Sequence, residues 1–334
     1  MTGVSTAAAG YPPEGQGAFF LCDIFDAMPK NDLASMEHPL FSLATRPDRR
    51  ILTYEHNGAE ITVVPSVKGL ATIHDKDILI FCVSQLMAAL NAGRQVSRTL
   101  HLTAHDLLVA CNRETSGDAY RRLREAFERL AGTRITTNIT TGGHEVTSGF
   151  GLIESWEIVR KARGGRMVSV AVTLSDWLYR AVLSKSVLTL SRDYFRLRKP
   201  LERRIYELAR KHCGRQDSWQ ISVETLLKKS GSASPRRVFR KMIRDMIEAQ
   251  PLPDYEMAEL PGDLIRFAQR VALVDVPPPV VSEAARDEAR RLLPGMDVHG
   301  LEADWRAVWA RSGAPRLRKP DAAFLGWVRK RAEG

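Results

Sequence analysis

The feature that most restricts the fold of this chain is an internal repeat whose equivalent positions lie 119 residues apart, as Thr103 and Ser222 do. Both of these residues are suited to capping a helix. The other matched pairs are mostly apolar: Leu86 and Ile205, Ala89 and Leu208, Leu102 and Ile221, Leu107-Leu108 and Leu226-Leu227, Tyr120 and Phe239, Leu123 and Met242, and Phe127 and Met246. Shared helical periodicity does not explain the matching caps and turn lengths, so we predict a duplicated unit.

Each copy of the repeat has the pattern of a helix, a short strand, two helices and a strand pair. In the first copy, helices are predicted after Asp77, over Ala104–Cys111 and over Ser116–Gly132, and a wing hairpin over residues 134–153. In the second copy, helices are predicted over Leu201–Cys213, Val223–Lys229 and Pro235–Ala249, and wing strands over Asp254–Met257 and Leu264–Ala268. This is the order of a winged helix-turn-helix domain. The predicted fold class is α+β, with two such domains in tandem.

Composition suggests where the domains begin and end. Residues 1–40, rich at first in Gly, Ala and Pro, are predicted to be a flexible tail. The first winged-helix domain is predicted over residues 41–190, starting near a hairpin marked by Asn57-Gly58, and the second over 191–276. Three consecutive prolines then introduce a linker and a small basic helical region over 277–334.

Net charge points to a polyanionic partner. The chain has 49 Lys and Arg residues against 39 Asp and Glu, a formal charge of +10. It contains no apolar run long enough for a membrane span and no leader-like N-terminus, so we expect a cytoplasmic protein without membrane contact. The four cysteines are too scattered for a zinc module or a disulfide framework, and no metal or other cofactor is predicted.

Two helices of the repeat carry the candidate DNA-binding surface. With Tyr120 and Leu123 inward, the 100° step of a helix turns the basic residues of Ser116–Leu130 outward, and the same holds after Phe239. Residues 234–249 contain five bases and two acids, whereas residues 116–130 contain four bases and three acids. The predicted DNA-contacting residues are Arg113, Ser116, Arg121, Arg122, Arg129, Arg134, Arg236, Arg237, Arg240, Lys241 and Arg244. A solvated helical face is the alternative for either helix alone, but two at matching positions favour DNA.

Asp75-Lys76-Asp77 has the spacing of a metal-binding DxD pair. Acids at the start of a helix also stabilise its exposed amides and the positive end of its dipole. We therefore predict a capping role for Asp75 and Asp77 rather than a metal site.

From about Phe41 to Arg270 the chain resembles the replication initiator protein A family of plasmid initiators. The resemblance is carried by Ser42–Asp48, Pro65–Ile78 and Leu190–Phe195. It implies a protein that binds directly repeated double-stranded sites at a plasmid origin and recruits the host helicase together with a helicase loader or host initiator. It also implies that a homodimer could repress the protein's own promoter. No single base-contacting residue follows from the resemblance.

The last segment combines bases with aromatic residues. Trp305, Trp309, Phe324 and Trp327 lie among basic residues, an arrangement that can stack on single-stranded DNA. Small helical units also need large apolar side chains for a core, and we favour that role here.

Sequence motifs favour a binding protein over an enzyme. No Gly-Lys dipeptide occurs, so a Walker A loop is absent, and the histidines lack the spacing of a metal-dependent nickase. Tyr194 has no evident base or metal partner in sequence, so we predict a structural tyrosine. A transcriptional regulator with the same domains is the first alternative to an initiator, and a rolling-circle nickase the second.

Overall fold

A computed structural model describes residues 19–24, 27–56, 59–138, 140–141, 144–145, 148–160, 167–214, 216–270, 278–312, 315 and 317–332. The chain is of the α+β class, with helices and mainly antiparallel sheets. It forms two compact units, Met1–Ala268 and Gln269–Gly334, and each is described by itself. No helix in the described ranges has both the length and the apolar character needed to cross a membrane.

The N-terminal segment packs into the first unit. Strand β1 (Phe20–Leu21) runs parallel to a later strand, and strand β2 (Lys30–Asp32) leads into helix α1 (Leu33–Glu37). Phe20 and Met36 are buried in the core. The prediction of a flexible tail over residues 1–40 is therefore wrong for residues 19–24 and 27–40, where apolar side chains too sparse to form a pattern still anchor the chain. Residues 1–18 and 25–26 lie outside the described part.

The helices of the first repeat begin close to the predicted positions. They are α2 (Lys76–Asn91), α3 (Ala104–Ala110) and α4 (Gly117–Gly132), with strand β5 (Thr99–Leu102) before α3. The Thr103 hydroxyl accepts a hydrogen bond from the Asp106 amide, and Ser116 caps α4 in the same way. Asp75 precedes α2 without a side-chain hydrogen bond to the helix amides, so its predicted capping bond is absent.

Strand β5 belongs to a sheet with the order β1-β5-β11-β10, in which β10 spans Ile153–Arg160 and β11 spans Met167–Leu174. The pairing of β5 with β11 is antiparallel and buries Val170 beside Leu102. The hairpin that pairs with β5, the strand before α3, is therefore β10–β11, although the sequence suggested residues 134–153.

The strands of residues 134–153 join the hairpin that precedes α2 instead. That hairpin consists of β3 (Leu52–His56) and β4 (Ala59–Val64), paired as predicted, while its turn at residues 57–58 is outside the described part. Strands β6 (Arg134–Thr137) and β9 (Ser148–Gly151) extend it into the sheet β3-β4-β6-β9. Between them lie the short paired strands β7 (Thr140–Thr141) and β8 (His144–Glu145). The reason is apolar matching, because Val63 pairs with Ile135 and both are buried.

A connector leads to the second repeat. Helix α5 (Asp176–Leu183) is capped by Ser175, and strand β12 (Val187–Thr189) pairs with β2. A 3-10 helix (Arg192–Arg196) follows and buries Tyr194.

The second repeat contains α6 (Pro200–Cys213), β13 (Ser218–Ser222), α7 (Val223–Ser230), α8 (Arg236–Ala249), β14 (Tyr255–Leu260) and β15 (Leu264–Gln269). Its sheet order is β13-β15-β14, so the strand before α7 pairs with the second strand of the hairpin, as β5 does with β11. Helices α4 and α8 begin 119 residues apart, at Gly117 and Arg236. The starts of α3 and α7 are separated by the same interval.

Inside α8 the buried positions are offset by one residue from the 119-residue interval of the repeat. Met242, matched by sequence to buried Leu123, is 36% exposed, whereas its neighbour Ile243 is fully buried. The predicted equivalence of Leu123 and Met242 is therefore wrong, because α8 turns Phe239, Ile243 and Met246 into the core.

The C-terminal unit is built from α9 (Glu283–Leu292), α10 (Val298–Arg311) and α11 (Pro320–Ala332). Trp305 packs edge-on against Phe324, and both are buried together with Trp309. The predicted core role is confirmed for Trp305 and Phe324, which belong to the hydrophobic cluster of this unit. Trp327 is half-buried, with the Arg331 guanidinium 5.2 Å from the centre of its ring.

Candidate nucleic-acid interface

Helix α8 presents a basic outer face. Its three buried residues recur at helical spacing, which turns the intervening residues away from the core. The predicted basic residues of this helix are half-buried or exposed, and all of them reach the surface: Arg236, Arg237, Arg240, Lys241 and Arg244.

Two of these arginines converge on one carboxylate of the β14–β15 turn. Arg240 Nε lies 3.0 Å from Asp263 Oδ1, and Arg240 Nη2 lies 2.7 Å from Asp263 Oδ2. Arg236 Nη2 reaches the same Oδ2 at 2.6 Å. Hydrogen bonds from Arg240 and then from Arg236 lower the pKa of Asp263 below its usual range. The carboxylate thus orients two guanidinium groups between the helix and the hairpin.

The remaining cations of α8 differ in their partners. Arg244 forms a two-pronged pair with Glu259, with both N–O distances at 2.8 Å, and Lys241 pairs with Asp245 at 3.0 Å. Within the described residues, Arg237 has no ion pair. Exposed ion pairs contribute little stability in water, so these side chains can exchange a carboxylate for a phosphate at small cost.

Helix α4 offers a smaller basic face. Arg121 and Arg122 are exposed, and both pair with Asp118. Arg121 also lies 3.8 Å from Glu125. The predicted outward orientation of Arg121 and Arg122 is confirmed, while their local acids offset much of the charge.

Arg129 and Arg113 face a different environment from the one predicted. Arg129 donates from Nε and Nη2 to the two oxygens of Asp75, at 2.7 and 2.8 Å, and its side chain is only 19% exposed. Arg113 Nη2 lies 2.6 Å from Asp77 Oδ2 and 2.8 Å from the carbonyl oxygen of His74. The outward orientation predicted for Arg129 is wrong, because a long arginine side chain can reach back from a helix to acids on its neighbour.

The two remaining predicted residues have separate positions. The Ser116 hydroxyl accepts a hydrogen bond from the Ala119 amide at 3.4 Å, so its observed interaction is the cap of α4. Arg134 is exposed on β6, in the sheet β3-β4-β6-β9.

The interior of the protein contains a group of buried charged side chains that we call the ionic cluster: Lys76, Asp77, Arg203, Arg204 and Glu207. Each is at most 2% exposed. Lys76 Nζ lies 2.9 Å from Glu207 Oε2, Arg204 lies 3.4 Å from the same oxygen, and Arg203 pairs with Asp77. Burial lowers the pKa of Lys76.

The sequence did not indicate the ionic cluster, or the acids that orient the α8 arginines. Charged residues at helical spacing usually mark a solvated face, and Arg203 and Glu207 lie in such a pattern. Asp263 follows Gly262 in a turn and has a left-handed backbone, with φ of 62°. That turn is readable from sequence, but its pairing with a helix 23 residues earlier is not. Arg266 is a further exposed cation on β15 that was not predicted.

Comparisons with known proteins agree on one family. The sequence profile of the family "Replication initiator protein A" matches residues 30–257. A relative from Wigglesworthia glossinidia brevipalpis, named "Putative replication protein", is 39% identical over 245 residues, which cover 72% of this chain and 89% of the relative.

Two solved structures resemble the fold. A crystal structure of domains 2 and 3 of RctB aligns with a TM-score of 0.51 and 13% identity, covering 70% of this chain and 94% of that one. A second structure of the same domains aligns with a TM-score of 0.47, 14% identity and coverage of 69% and 95%. The first alignment supports the arrangement of helices and sheets alone. On the sequence evidence, the chain belongs to the replication initiator protein A family.

Proposed function

We propose that this protein initiates plasmid replication by binding repeated double-stranded sites at the origin through two winged-helix units. The observation that carries the proposal is the repeated strand pairing. In both copies the strand before the helix-turn-helix pairs with the second strand of a hairpin, β5 with β11 and β13 with β15. In winged-helix proteins this arrangement holds the hairpin beside the recognition helix.

Helices α4 and α8 are the proposed recognition helices. An α-helix is about 10–12 Å across with its side chains, and the major groove of DNA is about 12 Å wide. Arg237, Lys241 and Arg244 would contact phosphates or base edges from α8, and Arg121 and Arg122 would do so from α4. Arg236 and Arg240 would approach the DNA backbone together with the hairpin that carries Asp263.

Arg113 and Arg129 are not part of this proposed surface, because both are engaged with acids of the α2 start. Ser116 keeps its capping bond, and its exposed position at the first turn of α4 also allows a phosphate contact. Arg134 remains a candidate backbone contact on the neighbouring sheet.

The family supports the later steps of the proposal. After binding its repeats, the protein would recruit the host helicase with its loader or the host initiator, and a homodimer would repress transcription of its own gene. These steps need only binding, so we propose a non-catalytic role in the cytoplasm.

The proposal is tested by footprinting the DNA that flanks the gene and by asking whether a plasmid with that DNA replicates only when the protein is supplied. We expect protected direct repeats and replication that depends on the protein. A double variant Arg237→Ala/Lys241→Ala should lose both. The control Arg180→Ala/Arg196→Ala removes two exposed cations elsewhere and should keep both.

Other outcomes separate the alternatives. Protection confined to the promoter, without support of replication, would indicate a transcriptional regulator. Nicking of supercoiled origin DNA with magnesium would indicate a rolling-circle enzyme. Either result would contradict the proposal.

A further inference from the structure

We infer that the ionic cluster fixes the register of the two DNA-reading units, so that the protein recognises two short base sequences only at one separation. This inference rests on the proposed function, because it concerns how the two units meet one duplex. It gives a role to charged side chains that are buried, and to two arginines that pair with acids at the start of α2.

The first link joins α4 to the start of α2. Arg129 of α4 holds both oxygens of Asp75, and Arg113, in the turn before α4, holds Asp77. Asp75 also accepts a hydrogen bond from the Thr72 amide at 2.8 Å. The proposed recognition helix of the first unit is therefore tied by charge-assisted hydrogen bonds to one end of α2.

The second link joins α2 to α6, the first helix of the second repeat. Asp77 pairs with Arg203, and Lys76 pairs with Glu207. Tyr194, in the connector between the two repeats, donates a hydrogen bond from its hydroxyl to Glu207, with an O–O distance of 2.8 Å. Asp77 and Glu207 thus each have more than one partner, and the partners of each lie on different elements.

The third link joins α6 to α7 and α8. Arg204 donates to the carbonyl oxygen of Lys229, at the end of α7, with an Nη2–O distance of 2.7 Å. Ile205 of α6 and Phe239 of α8 are fully buried in the same hydrophobic core. A continuous path of polar and apolar contacts therefore runs from α4 to α8.

Burial makes this path stiff. A buried charge is costly unless its partner occupies one particular position, so the ionic cluster has few alternative arrangements. Exposed pairs such as Arg122 with Asp118 have no such restriction. The two recognition helices should consequently behave as one body when they meet DNA.

The test changes the DNA spacing. After a footprint has defined the two protected blocks of one repeat, duplexes are made with one, two or five base pairs inserted between the blocks. Each inserted pair moves the blocks apart by about 3.4 Å and rotates them by roughly 35°. The readout is the Kd for the inserted duplex divided by the Kd for the original, which cancels any general loss of phosphate contacts.

Charge-neutral double variants are compared in the full chain. Asp75→Asn/Arg129→Gln removes the Arg129–Asp75 pair of the first link without leaving a buried charge, and the amide oxygen introduced at position 75 can still accept a hydrogen bond from the Thr72 amide. Asp176→Asn/Arg180→Gln breaks an exposed pair on α5, outside the proposed DNA-contacting surface, and is the control. Lys76→Met/Glu207→Gln removes the Lys76–Glu207 pair of the second link, and the first variant keeps the test valid if this one does not fold. Circular dichroism and thermal unfolding establish which variants are folded.

With the native chain and the Asp176/Arg180 control, a single inserted pair should weaken binding about tenfold or more, because one unit loses its base contacts. In the Asp75/Arg129 variant the ratio should fall below about threefold, because α4 is no longer held to the start of α2 by Arg129 and can adjust separately from α8. Equal binding of all spacings by the native chain, or a native ratio in the folded variant, would overturn the inference. Absence of any sequence-specific protection would instead contradict the proposed function.

Discussion

Arg240 and Asp263 form a two-pronged ion pair that joins helix α8 to the β14–β15 turn, with N–O distances of 3.0 and 2.7 Å. Arg236 shares the same carboxylate. One acidic residue between helix and hairpin therefore restrains two cations that belong to the proposed DNA-contacting surface.

Replacing this acid should strengthen non-specific DNA binding. In Asp263→Asn the amide oxygen can still accept a hydrogen bond, but the negative charge is lost and Arg236 and Arg240 become available to phosphates. The slope of log K against log salt should steepen by about 0.9 for each additional phosphate that the protein neutralises. Fluorescence anisotropy with a random duplex measures this slope. Asp193→Asn, at another exposed ion pair, is the control, and an unchanged slope in Asp263→Asn would contradict the role of Asp263.

The core face of α8 can be tested by truncating two neighbours. Ile243→Ala should lower the free energy of unfolding by about 2–5 kcal/mol, because Ile243 is fully buried. Met242→Ala should cost less than about 1 kcal/mol, because Met242 is exposed at the surface. Urea denaturation followed by circular dichroism provides both values. Equal losses would show that the one-residue shift of α8 relative to α4 is wrong.

The shared helix caps should have similar energetic roles. Thr103→Ala and Ser222→Ala each remove a hydroxyl that accepts a hydrogen bond from the first turn of a helix, with an O–N distance of 3.1 Å in both. Each should lower the unfolding free energy by about 0.5–2 kcal/mol. Substitution by Asp, which can also cap, should recover most of the loss. Stability unaffected by alanine would contradict the capping roles.

Acidification should destabilise the fold between pH 6.5 and pH 4. Burial, and then the nearby charge of Arg203, lower the pKa of His74 to about 4, and burial does the same for His38. The unfolded chain takes up these protons near pH 6.5, so across this interval it binds more protons than the folded chain. Stability from neutral histidines is therefore complete above pH 6.5 and is lost as the pH falls towards 4.

The slope should not exceed about 1.4 kcal/mol per pH unit for each histidine. His74→Gln should flatten the dependence of the urea midpoint on pH. Asp48, whose pKa is lowered to about 2, first by its hydrogen bonds with Arg50, contributes only at lower pH. A pH dependence unchanged in His74→Gln would contradict the contribution of His74.

Local signals carried most of the correct predictions. Thr103, Ser116 and Ser222 each begin a helix by accepting a hydrogen bond from the amide three residues later. Contacts between residues so close in the chain can be predicted from sequence. Strand partners depend on distant residues instead. An alternating strand such as β6 could pair with any apolar strand, and only the fold shows that Ile135 lies beside Val63.

The candidate site was predictable in part for the same reason. The outward face of α8 follows from periodicity, whereas the destination of Arg129 depends on an acid 54 residues away. The segments that carry the family resemblance include Asp77 and Tyr194, which belong to or contact the ionic cluster. The family resemblance therefore includes buried residues of the protein, and it gives no information about the exposed basic faces.

The pairing of β1 with β5 gives the N-terminal segment a protective role. A chain shortened to start at residue 41 would leave the backbone amides and carbonyls on one side of β5 open to solvent. Exposed strand edges of this kind readily pair with other molecules. Removing residues 1–40 as if they were a dispensable tail would therefore expose an edge of β5 and favour self-association.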